Sequence, residues 1–281
     1  MRILLVGYGR MGRTVERLAR ADGHEVVGRV DPGGAEGTVW PLERAPLELA
    51  DVAIEFTTPA AAPDGLVALA EAGLDTVSGT TGWGEALPRV ADAVRAAGTG
   101  LLYASNFSLG VALFLRAARA LAGLVDGVGR AGERYDVAIH EVHHRHKLDH
   151  PSGTAVSLAE AVLGALPAKQ RWAAGPPSGA ADPSVLHVTS ARVGEVPGSH
   201  ALLVEGRDDR IELRHDARGR EGFARGALAA AAWVRGRHGV FTLDDLLAEA
   251  WSGATDAGAA GSGPAPRDAR HNDDDEDEDE A

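Results

Sequence analysis

Between positions 141 and 155 the chain reads Glu141-Val142-His143-His144-Arg145-His146-Lys147-Leu148-Asp149-His150-Pro151-Ser152-Gly153-Thr154-Ala155. The first half gathers imidazoles and a lysine, groups that donate protons or stabilise a developing negative charge. The second half, Pro151-Ser152-Gly153-Thr154, is a small-residue turn into an apolar-periodic segment, Ala155 to Leu166, which predicts a helix stopped by Pro167. Free backbone N–H groups and the positive dipole end at such a helix start suit an anion such as a carboxylate. Acid, cation and anion cradle within fifteen residues point to reduction or protonation of a carboxylate-bearing substrate. The four histidines at 143, 144, 146 and 150, beside Glu141 and Asp149, also raise a metal site. Their spacing fits no helix-borne H-E-x-x-H pair, and Lys147 puts a cation amid the ligands, so no metal is expected.

A motif of this kind has to be carried by regular elements. Val137-Ala138-Ile139 predicts a strand that runs out at the first half of the motif. At the start of the chain, Arg2 to Val6 predicts a strand and Gly7-Tyr8-Gly9-Arg10-Met11-Gly12 opens a helix through about Ala21. This is G-x-G-x-x-G in a nucleotide-binding context. Gly7 allows the tight turn, Gly9 lets a pyrophosphate approach the backbone, and Gly12 lets helix and strand pack closely. The next strand, Glu25 to Val30, ends at Asp31, where an acidic residue would accept hydrogen bonds from the adenosine ribose and repel a 2′-phosphate. Pro32-Gly33-Gly34 supplies no arginine for that phosphate, so NADH is favoured over NADPH; the alternative is that Asp31 only starts a turn.

Strand and helix then alternate, with strands at Asp51–Phe56, Leu74–Ser78 and Gly100–Ala104 and helices at Ala60–Ala72 and Glu85–Ala97. That order implies parallel βαβ units, with ligands beyond the carboxyl ends of the strands. Those ends carry Phe56-Thr57-Thr58, Gly79-Thr80-Thr81-Gly82 and Ser105-Asn106-Phe107-Ser108, as a cofactor cleft requires. A long helix, Leu109 to Gly123, leaves the sheet. A loop over Gly175–Pro183, β-like runs at Val185–Val193, His200–Glu205 and Arg210–His215, and helices at Gly222–Arg235 and Leu243–Trp251 complete the pattern. The fold expected is α/β, a Rossmann-type parallel sheet domain plus a mixed α/β second domain. Residues 1–106 would bind the dinucleotide and 107–221 the substrate, with 222–251 packing back on the first domain.

The net charge of −13 divides unevenly: from Ser252 onward ten acidic residues and two arginines give −8, leaving about −5 for the rest. Residues 252–281, Gly/Ala-rich and then acidic throughout Asp273–Glu280, are expected to be disordered. No basic stripe suggests nucleic acid, and no run is long enough to span a bilayer. The apolar start breaks at Gly7 and is read as a strand, not an export signal, which points to the cytoplasm. The absence of cysteine excludes disulfides, thiolate metal sites and cysteine nucleophiles.

The run Glu141-Val142-His143-His144-Arg145-His146-Lys147 through Asp149, then Pro151-Ser152-Gly153-Thr154-Ala155, resembles the signature of the 4-hydroxy-tetrahydrodipicolinate (dihydrodipicolinate) reductases. Gly7 to Gly12, Phe56-Thr57, Gly79-Thr80-Thr81-Gly82 and Asn106-Phe107-Ser108 agree, over about Met1 to Leu247. The resemblance implies hydride delivery from NADH or NADPH to a cyclic dicarboxylate imine of lysine/diaminopimelate biosynthesis, in a homotetramer joined through the second domain's sheet. It further implies His143 as acid–base residue, Lys147 as proton donor and substrate contact, and His144, Ser152, Gly153 and Thr154 as carboxylate holders. Gly79, Thr81 and Phe107 would border the nicotinamide. Two features depart from the family pattern: its fingerprint often has one more residue, and Glu55 stands where it often has Asp. Another nicotinamide enzyme of this architecture, such as an amino-acid dehydrogenase, or a non-catalytic NAD(P)H sensor signalling through the acidic tail, are the alternatives; the full His143/Lys147 pair argues against the sensor.

Overall fold

Short apolar runs ending in small residues become strands, and the amphipathic segments between them become helices. In the computed structural model, which describes residues 1–34, 37–132 and 134–249, the first half of the chain forms β1 (Arg2–Val6), α1 (Arg10–Ala21), β2 (Glu25–Val30), β3 (Val52–Glu55), α2 (Ala62–Glu71), β4 (Thr76–Ser78), α3 (Leu87–Ala97) and β5 (Gly100–Tyr103). The second half continues with α4 (Leu109–Arg130), β6 (Asp136–His143), α5 (Gly153–Leu163), β7 (Arg171–Ala174), β8 (Val185–Arg192), β9 (Ser199–Glu205), β10 (Arg210–Asp216), α6 (Glu221–Val234) and β11 (Gly239–Thr242).

The first sheet has the order β11-β5-β4-β3-β1-β2, and every pairing in it is parallel. Leu4, Val6 and Ala53 from its strands pack with Leu69 of α2 in one of its cores. The helix α6 lies against β3, β4, β5 and α1. The second sheet, β10-β9-β6-β8-β7, is mixed, with β6 parallel to β8 and antiparallel to β9. A Rossmann-type parallel sheet accompanied by a mixed sheet is the architecture expected.

The central strand β6 explains how the motif is delivered. Its side chains alternate in burial, so Val137, Ile139, Glu141 and His143 share the buried face. Val137 and Ile139 join Phe114, Ala118, Ala122 and Val125 of α4 and Leu158, Ala159 and Val162 of α5 in one core. Glu141 and His143 therefore emerge where that core meets the start of α5.

Two strands and part of one helix differ from the expectation. The helix α4 runs on past Gly123 to Arg130 because Val125 remains inside the second core, and its burial outweighs the glycines at 123, 127 and 129. The strands β7 and β11 go beyond the expectation: each is four residues long, and each exists by pairing with one neighbour, β8 and β5 respectively. Residues 1–246 form one compact unit and residues from 247 a second; within the second, residues 247–249 are helical. Ala250, Trp251 and the acidic tail 252–281 lie outside the described residues. Among the described residues no helix is long and apolar enough to cross a membrane.

Candidate active site

At the carboxyl end of β6 the motif folds onto the beginning of α5. Ser152 is the N-cap: its Oγ accepts from the Ala155 amide at 3.2 Å, and its own amide donates to Glu141 Oε1 at 3.1 Å. The amides of Gly153 and Thr154 have no partner among the described residues and sit at the positive end of the helix. Of the four residues expected to hold a carboxylate, Ser152 thus has its amide already engaged, Gly153 and Thr154 have theirs without a partner among the described residues, and His144 offers its ring to the cleft.

His143 is buried, and the ring of His200 from β9 stands edge-on to it at 5.0 Å. Burial pushes the His143 imidazole below its ordinary value while the Glu141 carboxylate pulls it back up. Burial takes His200 further, to about 4. Lys147 reaches Asp149 at 2.8 Å with its side chain partly exposed, and it holds that carboxyl below the usual range. Glu141, His143 and His200 present ligand atoms within 4.8 Å of one another, as a metal site would require. The guanidinium of Arg192, 3.1 Å from the same carboxylate, already supplies the cation there.

A cleft of about 1020 Å³ is lined by His143, His144, Lys147, Ser152, Gly153 and Thr154, and also by Ser105 and Asn106 just beyond β5. The proton-bearing motif and one strand end of the parallel sheet thus face the same space.

The remaining expected residues do not line that cleft and cluster with one another. A Cβ at Gly7 would stand 2.1 Å from the Phe56 carbonyl oxygen, and one at Gly12 would stand 2.3 Å from that of Gly7, so both positions require glycine. Gly9 has open space where a side chain would be, and α1 begins at Arg10 without a side-chain cap. Arg10, Met11 and Gly12 then supply the first-turn amides, and these features fit a dinucleotide's pyrophosphate. Asp31 accepts from the amides of Tyr8 at 2.6 Å and Gly33 at 2.7 Å. It therefore does start the turn, and it also ties β2 to the fingerprint.

Fully buried Glu55 fastens two strand ends together. It accepts from Thr57 N (2.6 Å), Ser78 Oγ (2.6 Å) and Thr80 Oγ1 (2.6 Å). The Phe56 ring lies over Gly79, where a Cβ would meet it at 2.0 Å, and meets Phe107 edge-on at 6.2 Å. Phe107 is buried, and its carbonyl packs closely on Gly226 of α6. Thr81 is exposed at the same rim.

Glu16 and Glu141 carry the same physical consequence. The Arg29 guanidinium holds Glu16 at about 2 from an ordinary 4.5. Burial opposes ionisation of Glu141, yet hydrogen bonds from Ser152, Ser190 and Arg192 bring it too to about 2. A carboxyl lowered in the folded state stabilises the fold above its unfolded value, and that contribution is lost as pH falls through the folded one. The urea midpoint is therefore expected to fall steadily from pH 4.5 towards 2, and Glu16→Gln should flatten the slope. A slope unchanged in that variant would remove Glu16 from the account.

Comparison with known proteins bears on the identity. The family descriptions "Dihydrodipicolinate reductase, N-terminus" and "Dihydrodipicolinate reductase, C-terminus" match residues 1–107 and 110–247. The 4-hydroxy-tetrahydrodipicolinate reductase of Christiangramia forsetii is 36% identical over 249 residues, covering 89% of this chain and 98% of that protein. The chain belongs to the dihydrodipicolinate reductase family. A second relative in the family, the 4-hydroxy-tetrahydrodipicolinate reductase of Thiobacillus denitrificans, is 37% identical over 270 residues, covering 88% of this chain and 98% of that one. A dipicolinate-bound dihydrodipicolinate reductase from Paenisporosarcina sp. TG-14 shares the fold, with a TM-score of 0.70 at 24% identity over 86% of this chain and 97% of the other.

Ser190, Arg192 and His200 lie outside the motif that the sequence marks in this member of the family. They become neighbours of the motif through strand register, which pairs Ser190 and His200 with Glu141, and Arg192 with His143. The alternation of Ser190 and Arg192 along one β-like run was the only available signal.

Proposed function

We propose that this protein reduces 4-hydroxy-tetrahydrodipicolinate (dihydrodipicolinate) to tetrahydrodipicolinate in lysine/diaminopimelate biosynthesis. The observation that carries the reading is the shared cleft: the His143/Lys147 pair and the free amides of α5 face the strand end at Ser105 and Asn106. A nicotinamide cofactor, when bound, supplies the hydride. The first-turn amides of α1 would hold its pyrophosphate, and Phe56, Thr57, Gly79, Thr80, Thr81, Ser105, Asn106 and Phe107 would border its inner half. Gly153, Thr154 and the Ser152 cap orient the substrate carboxylates, with His144 beside them. With the 4-hydroxyl lost as water to give the dihydro ring, Lys147, released from Asp149, would donate to the ring the proton that balances the added hydride, and His143 would act as the acid–base partner. The dicarboxylate itself brings negative charge that favours protonated His143.

In the same reading the cofactor is NADH by preference, the enzyme is cytoplasmic and homotetrameric, and no resident metal takes part. Its two lobes divide near Ser105–Ser108. The test follows loss of reduced-nicotinamide absorbance, with substrate made in situ by a coupled synthase from pyruvate and aspartate semialdehyde. Turnover with NADH at higher kcat/KM than with NADPH is the expected result. Equal use of NADPH would retain the reductase and discard the argument from Asp31; no oxidation with either nucleotide would discard the reductase.

A further inference from the structure

Glu141 is fully buried and touches both halves of the site. Its Oε1 accepts from Ser152 N (3.1 Å), Ser190 Oγ (2.6 Å) and Arg192 Nη2 (3.1 Å). Its Oε2 points the other way, 3.0 Å from His143 Nδ1 and 3.7 Å from His200 Nε2. Glu141 Oε2 and His143 Nδ1 both lack an aligned hydrogen-bond partner, although they lie at contact distance. A buried donor and acceptor left facing each other are costly unless they engage. Hydrogen bonds at active sites commonly tighten only when substrate arrives.

Resting on the reading of His143 as the acid and of the α5 start as the carboxylate cradle, we infer that Glu141 is the positioning residue that couples them. One oxygen anchors the Ser152 amide and so the first turn of α5, while the other holds the His143 imidazole with Nδ1 towards the carboxylate and Nε2 towards the cleft. A carboxylate in that place also favours protonated His143, so the proton is present when the substrate's carboxylates are seated. The charged and titratable groups facing His143 are Glu141 on its own strand, Lys147 and Asp149 from the following loop, Arg192 from β8 and His200 from β9. Glu141 is the one anion among them that is wholly removed from water.

The deciding experiment titrates His143 by NMR in uniformly folded enzyme, with its resonance assigned from a His143→Asn protein, alongside pH profiles of kcat/KM. Glu141→Gln keeps an oxygen acceptor for Ser152, Ser190 and Arg192 and turns an amide NH₂ towards Nδ1. The His143 titration and the falling alkaline limb should both move down by about one pH unit, with kcat about tenfold lower and KM changed less than about twofold. Glu141→Asp retains the anion and should restore the limb, while a raised KM reports a loosened Ser152 anchor. Should Glu141→Gln fail to fold, Arg192→Gln removes a cation facing His143 and should shift the titration upwards. A His143 titration unmoved by Glu141→Gln, or by Arg192→Gln where the former does not fold, overturns the inference and leaves Glu141 a packing residue. The NMR readout needs no turnover, so its outcome stands apart from that of the proposed reaction.

Discussion

Lys147→Ala is expected to lower kcat by about 10²- to 10⁴-fold while nucleotide binding is retained. The lysine lines the cleft beside His143 and the α5 start, and its one ion-pair partner among the described residues, Asp149, is more than half exposed. That surface pair contributes little to stability, so the variant should fold normally. In the proposed reading, what is lost is the cation that stabilises charge developing on the substrate ring and the proton that follows it. Lys147→Arg keeps the charge but holds its proton too firmly to donate, so it should recover binding of the dicarboxylate more than turnover. Undiminished kcat in Lys147→Ala would transfer the donor role elsewhere, and His143 would be the next candidate.

Gly226→Ala should produce the largest loss of stability from a single added methyl. In α6 a Cβ at this position would stand 1.7 Å from the Phe107 carbonyl oxygen and 2.8 Å from its carbon. Both obstacles are backbone, so the helix itself must move off the segment following β5. Overpacking of this kind costs about 3 kcal/mol, a fall of about 6–12 °C in Tm for a protein of this size. The same substitution in α4 provides the control. At Gly123 and Gly127 an added Cβ would meet nothing within 4 Å, so alanine there should stabilise by about 0.5–1 kcal/mol through helix propensity alone. Equal melting temperatures for Gly226→Ala and the parent would show that α6 adjusts freely.

These two residues also show how much is legible in the sequence. The motif that contains Lys147 is contiguous, its strand and helix periods change where the chemistry lies, and its family signature is long. The fingerprint is equally legible, because its glycines stand at fixed spacing in one short run between a strand and a helix, whatever partner each one meets. Gly226 carries no signal at all: an Ala/Gly-rich helix looks the same whether it is buried against a carbonyl or not. The polar cage of Glu141 is hidden for a related reason. Ser190, Arg192 and His200 meet it through pairing between strands some 50 residues apart in sequence, and pattern along a single run does not encode register across runs. Asp31 reads as a ribose ligand with a turn as the alternative, and the turn with Gly33 does form; a carboxylate with several lone pairs can serve both.

The pairing of β11 with β5 bears on how the protein is made. Gly239–Thr242 covers β5 and becomes the edge of the parallel sheet in its place, whereas β5 ends at Tyr103, so the whole second sheet is synthesised before β5 is covered. On the ribosome β5 therefore waits with unpaired N–H and C=O groups beside Leu101 and Leu102, an open apolar edge of the kind that recruits other chains. Premature termination ahead of Gly239 would leave the glycine fingerprint and the acid motif intact in sequence and the product prone to aggregate. Among the described residues, the last strand to emerge from synthesis is thus the one that takes over the edge of the first sheet from β5.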